Sequence, residues 1–275
     1  MKYGVPLGLL HPAAWKDVAV AADELGFESV WLPEHLVFAT DLSLAVYPGT
    51  DKPGIKPTTP LFDAPAYLCH LAALTTRVRL GTAVHLFALR HPFASARAFA
   101  TLDAVSGGRA ICGVGAGWYR GEWDAAQIPF ENRGARLDEA ILLARRLWTE
   151  PAVSHRGRFY SFEEVAFDPK PVQAHLPILA GGESPAALRR AALLCDGWIS
   201  MPHTLDSIRP QLDRLAALRD RRPFSITVHA YSLASPAEVP AWAALGVDRL
   251  IVRPWARSRD AVQALVAFAR AHGLS

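Results

Sequence analysis

Moving a proton near neutral pH calls for an imidazole placed beside its reactant. Among the ten histidines of the chain, His35 has that setting: it ends the run Ser29-Val30-Trp31-Leu32-Pro33-Glu34-His35, next to a carboxylate and ahead of a long irregular segment. The competing reading is a structural histidine. A second stretch, Gly113-Val114-Gly115-Ala116-Gly117-Trp118, puts glycine at alternate positions where an apolar run ends. Such glycines leave room either for another layer of protein or for something flat against the backbone, and we read a ligand floor. The spacing is not that of a dinucleotide fingerprint, and no helix is expected to open at Gly117. A third stretch, Gly181-Gly182-Glu183-Ser184, precedes Pro185 at a first helical position. Backbone N–H groups, a helix dipole and a hydroxyl converge there, which makes an anion site or else an ordinary capped turn.

These residues need elements to hold them. Apolar runs predict strands at 3–10, 29–32, 78–86, 110–114, 177–180, 198–201, 225–231 and 249–253, with a helical pattern behind each and a small hairpin at 159–167. Eight strand–helix units near this length predict an α/β fold, a closed (β/α)8 TIM barrel with insertions after strand 2 and before strand 5, as one domain over 1–275. An open doubly wound sheet is the alternative. The working face of such a barrel is the carboxyl end of its strands, where His35, residues 115–119, residues 181–184, Met201-Pro202-His203 and Arg253 all fall. Residues 36–60, with Pro48, Pro53, Pro57 and Pro60, leave the same rim and read as a lid. His11, His70, His155, His175 and His272 fall on helices or outer loops and receive no role.

Composition removes several classes of function. A net charge of +3 without a Lys/Arg block argues against nucleic acid, and the three separated cysteines, Cys69, Cys112 and Cys195, fit neither a disulfide framework nor a zinc site. Absence of HExxH and Gly-x-Ser-x-Gly argues against metal and serine-nucleophile chemistry. No long apolar run occurs and the start is already strand-like, so the expectation is a soluble, cytoplasmic protein without a leader or membrane partner.

Four blocks in order, Gly26-Phe27-Glu28-Ser29-Val30-Trp31-Leu32-Pro33-Glu34-His35, Arg79-Leu80-Gly81-Thr82-Ala83-Val84, the run Ala100 to Arg109 and Gly113 to Trp118, resemble the luciferase-like monooxygenase superfamily. Pro177 to Gly182 and Cys195-Asp196-Gly197-Trp198 complete the resemblance, which is nearer to the branch using the deazaflavin coenzyme F420 than to FMN-dependent luciferases. It implies a homodimer with a flavin-type ring at the strands' carboxyl ends. His35 matches the proton-transfer histidine, Ala83 and Val84 the bulge, often a non-prolyl cis peptide, that props the ring, and Gly181, Gly182, Glu183 and Ser184 the segment that binds the phosphate-bearing tail. Gly115, Ala116 and Gly117 would form the floor, Arg253 a second phosphate contact, and Phe38, Tyr47, His85, Trp118 and Tyr119 an aromatic substrate pocket. Two positions depart from the pattern. Trp118 replaces a glutamate of the F420 dehydrogenases, and Ala116 replaces the arginine that luciferases use for FMN phosphate, which tilts the cofactor toward F420. The implied activity is hydride transfer between F420 and a small, fairly apolar molecule; FMN-dependent monooxygenation and cofactor binding without turnover are the alternatives.

Overall fold

Strands Ser29–Leu32 (β2) and Ala110–Val114 (β4) are buried along their whole length, as runs without polar alternation require when helices cover the sheet. They belong to a computed structural model that describes residues 1–42, 56–220, 222–233 and 235–274. With Lys2–Pro6 (β1), Arg79–Thr82 (β3), Ile178–Gly181 (β7), Gly197–Pro202 (β8), Ser225–His229 (β9) and Arg249–Ile251 (β10) they close a parallel barrel in the order β1-β2-β3-β4-β7-β8-β9-β10, and β10 pairs back onto β1. Closure excludes the open doubly wound sheet. Ala152–Arg156 (β5) and Ser161–Ala166 (β6) form an antiparallel hairpin between the fourth and fifth barrel strands, where the proline-rich insertion was expected.

Around the barrel run Trp15–Glu24 (α1), Ala64–Ala72 (α2), Pro92–Val105 (α3), Arg120–Ala125 (α4), Arg133–Thr149 (α5), Pro185–Leu194 (α6), Arg209–Leu218 (α7), Val239–Ala244 (α8) and Ala261–His272 (α9). Helix α4 was not expected. It opens three residues beyond Gly117, too short and too polar to show a periodic apolar face. The first and third strands are shorter than predicted: a 3-10 turn takes over at Leu7–Leu9, and β3 gives way to a cis peptide between Ala83 and Val84, after which His85 makes only an isolated bridge to Val114.

Two layers of apolar side chains form. Trp31, Ile111, Leu179, Ile199 and Ile251 fill the inside of the barrel, topped by Ala83, Val84 and Tyr231; a larger cluster lies between sheet and helices. At the amino-terminal rim, polar side chains lock the loops. Asp23 accepts from the N–H groups of Thr76, Arg77 and Val78 at 2.9, 2.7 and 2.6 Å, and Arg249 pairs with both oxygens of Glu28 at 2.6 Å. Arg109 donates to the carbonyls of Ala72, Thr75, Val78 and Ser106. Cys112 and Cys195 are buried, while Cys69 is only partly so. Among the described residues no helix is long and apolar enough to cross a membrane, and no cluster of His, Cys, Asp or Glu could hold a metal ion.

Candidate active site

At the carboxyl-terminal rim the end of β2 meets the segment that follows β4. His35 Nδ1 lies 2.9 Å from Oε2 of Glu122, whose side chain is 0% exposed, while the imidazole itself is 18% exposed. The other carboxylate oxygen accepts from the backbone N–H of Leu36. A carboxylate only accepts, so it holds hydrogen on Nδ1 and leaves Nε2 as the working nitrogen of a neutral ring. Phe38 and Trp118 flank His35, with ring centroids 4.8 and 5.7 Å away. Tyr119 backs Phe38 at 6.0 Å and accepts from the N–H of Ala39 at 3.1 Å. The predicted histidine and three of its predicted aromatic neighbours therefore come together in one cluster. Tyr47 lies outside the described residues.

Glu122 was missed. It sits on the unexpected helix α4, four residues beyond the Trp118 position where the resemblance looked for a glutamate. One signal was available: a carboxylate in the sequence soon after the glycines, on the same rim as His35.

The alternating glycines serve the protein first, which corrects the reading of a bare ligand floor. A Cβ on Gly113 would stand 1.8 Å from the Thr82 carbonyl oxygen, so β3 and β4 approach too closely for any side chain there. A Cβ on Gly115 would meet Val84 Cγ2 at 2.3 Å, and one on Gly181 would meet Val84 Cγ1 at 2.7 Å. Val84 is thereby seated between two strands that carry no side chain at its level. With Ala83 it stays partly exposed above the apolar interior, a platform suited to a flat ring. Gly117 has a φ of 75°, and a Cβ there would press on Trp123 Nε1 at 2.9 Å. Ala116 packs against the outer core.

His85 does not line the pocket. The bulge at 83–84 breaks the strand's alternation and sends the ring into the core, where it is 1% exposed. Its Nδ1 is 2.6 Å from Glu34 Oε2, a close contact that is off the best hydrogen-bond direction, and Nε2 is 3.2 Å from Ser95 Oγ. Glu34 also receives both nitrogens of Arg90 at 3.1 and 2.7 Å and the N–H of Leu86 at 3.0 Å. Burial pushes its carboxyl up, but His85 and Arg90 outweigh this and hold it down to about 2. Glu34 thus braces the chain just after the bulge, pointing away from its neighbour His35.

In the predicted anion segment, Ser184 accepts from the N–H of Ala187 at 3.2 Å and caps α6, the plainer of the two readings. Glu183 turns its carboxylate to β8, where it accepts from Met201 N–H at 2.7 Å and contacts His203 Nε2 at 2.8 Å. Gly182, at φ 101°, allows that turn. Arg253 is exposed, its guanidinium 5.8 Å above the Tyr231 ring, with no carboxylate in salt-bridge reach among the described residues. Beside it a recess of about 200 Å³ opens between Pro202, His203, Thr204, Ser207, Tyr231 and Ser232.

The family model described as luciferase-like monooxygenase matches residues 5–273, and the chain belongs to that family. It is 32% identical over 277 residues to the uncharacterized protein Rv0953c of Mycobacterium tuberculosis, covering 97% of this chain and 96% of that one. It is 35% identical over 215 residues to an F420-dependent glucose-6-phosphate dehydrogenase of Nakamurella multipartita, covering 76% of this chain but 58% of that enzyme's length. The fold superposes with a TM-score of 0.76 on an F420-dependent secondary alcohol dehydrogenase solved with an F420-acetone adduct, at 17% identity and 98% and 97% coverage.

Proposed function

We propose that the protein is an F420-dependent oxidoreductase that moves a hydride between the deazaflavin and a small, fairly apolar organic molecule. The observation that carries this reading is the His35–Glu122 pair, flanked by the Phe38 and Trp118 rings on the same rim that carries the Val84 platform. Family membership, a relative named as an F420-dependent dehydrogenase and alanine at 116 support the choice of cofactor. The residues fit the group: Ala83 and Val84 offer a flat apolar seat, and Arg253 with the β8–β9 recess offers a corner for an anionic tail.

Bound there, the deazaflavin supplies the hydride-exchanging centre. The protein handles the proton. His35 Nε2 takes it from a substrate hydroxyl in the oxidising direction and returns it in the reducing one, and Glu122 keeps the ring turned and stabilises its charged form. Phe38 and Trp118 hold water away from the exchange.

Fluorescence titration with F420 and with FMN tests the reading. Submicromolar F420 binding without FMN binding, followed by F420-linked turnover of a small alcohol or carbonyl compound, is expected. Tight FMN binding with aldehyde- or sulfonate-dependent oxygen uptake would replace it with monooxygenation, and F420 binding without turnover of any panel substrate would reduce it to a binding protein.

A further inference from the structure

Side chains along β9 alternate between the two faces of the barrel wall. Ile226 and Val228 join the outer core, whereas Thr227 points inward and accepts from Arg249 Nη1 at 2.8 Å. His229 shares the inward face with Thr227 and pairs in register with Ile251, a residue of the barrel interior. It is the last residue of its strand and lies at the mouth, edge-on to Tyr231 at 5.3 Å; Tyr231 packs on the same interior cluster as Ala83 and Val84.

The ring is held by its neighbour strand. Nδ1–H donates to the Ser200 carbonyl at 2.6 Å, and the His229 backbone N–H donates to Ser200 Oγ at 3.1 Å. With hydrogen fixed on Nδ1, Nε2 of the neutral ring carries only a lone pair, and it has no partner among the described residues. Burial lowers the pKa to about 4, against smaller upward pulls from the Ser200 carbonyl and the Glu183 charge, so the ring stays neutral across the physiological range. An acceptor that cannot become a donor reads one kind of group. A ligand that covered it without offering a hydrogen would leave it unpaired.

We propose that His229 is a specificity-determining residue whose Nε2 accepts a hydrogen bond from an N–H or O–H group on the ring of the bound cofactor. This rests on the reading that the mouth holds a flavin-type ring. Deazaflavin and flavin both carry an imide N–H, so His229 reads the ring's donor edge and leaves the choice between the two cofactors to other residues.

The test pairs nitrogen-15 NMR of the histidine rings with titration of F420 and of FMN into wild type, His229→Phe and His229→Gln. In the apo protein His229 should keep its hydrogen on Nδ1 without titrating between pH 5.5 and 8, and its Nε2 resonance should move when saturating ring is added. His229→Phe should bind the ring that wild type binds roughly three- to tenfold more weakly, the loss of one neutral hydrogen bond. His229→Gln, with an amide to donate and a carbonyl to accept, should recover most of the affinity. Equal affinity in His229→Phe, or an Nε2 resonance unmoved by the ring, overturns the role of His229 while the functional reading stands. If wild type binds neither ring, the functional reading falls and the ring falls with it as the partner of His229.

Discussion

The two rims of the barrel use similar residues in opposite ways. At the amino end, Asp23, Glu28, Arg109 and Arg249 are spent on backbone groups, on neighbouring threonine hydroxyls or on each other. At the carboxyl end, among the described residues, His35 and His229 each have one ring nitrogen tied to the protein and the other left over, and Arg253 has an aromatic face beneath it and no carboxylate in salt-bridge reach. Saturated polar groups hold a fold together; half-used ones are what a ligand can address. Glu34 shows that the division follows bonding and not position, because it lies on the working rim yet is as fully bonded as any residue on the other.

The largest effect should come from the half-used set. His35→Ala is expected to lower turnover by about 10² to 10⁴ with cofactor affinity nearly unchanged, and Glu122→Gln to give a smaller loss, since it leaves the ring in place but takes away the charge that orients it. Steady-state rates beside fluorescence titration check both; a His35→Ala enzyme at wild-type rate would erase the distinction between the rims. Arg249→Ala should do the reverse, costing about 3 kcal/mol of stability by stranding Glu28, with the dissociation constant of F420 unmoved when measured well below the melting point.

Glu34 gives the comparison a pH axis. Its folded pKa of about 2 lies below the ordinary 4.5, so its contribution is fully present above about pH 5 and is lost as pH falls toward 2. The loss should reach roughly 3 kcal/mol in urea melts at stepped pH, and Glu34→Gln should flatten that part of the curve. Gly115→Val should cost about 1 to 3 kcal/mol in a thermal melt, because its methyls collide with Val84, and should weaken cofactor binding through the displaced platform. A fully stable variant would restore the open floor. Ser184→Ala should be the mildest, about 1 kcal/mol of apo stability with affinity unchanged, as for a lost helix cap.

The barrel was legible because strands buried on both faces are written as unbroken apolar runs, and 29–32 and 110–114 match β2 and β4 to the residue. The cis peptide at Ala83–Val84 came from resemblance, since no local pattern announces it. What failed were statements about direction. His85 was placed in the pocket because the bulge's reversal of alternation is invisible in sequence, and the glycines told of a missing side chain without telling which neighbour needed the room. His229 was overlooked for a related reason: with the strand extended to residue 231, the histidine fell within it, whereas the ladder ends at His229. Glu122 was hidden by a helix too short to have a period.

The seating of Val84 between Gly115 and Gly181 ties three positions at the ends of three strands into one unit of inheritance. None can drift alone. A methyl added just past β4 or on β7 costs stability for as long as position 84 keeps both of its γ carbons, and becomes cheap only after that side chain has shrunk. The order of substitutions then decides which are accessible, and relatives that carry a larger residue at either glycine should carry a smaller one at the bulge.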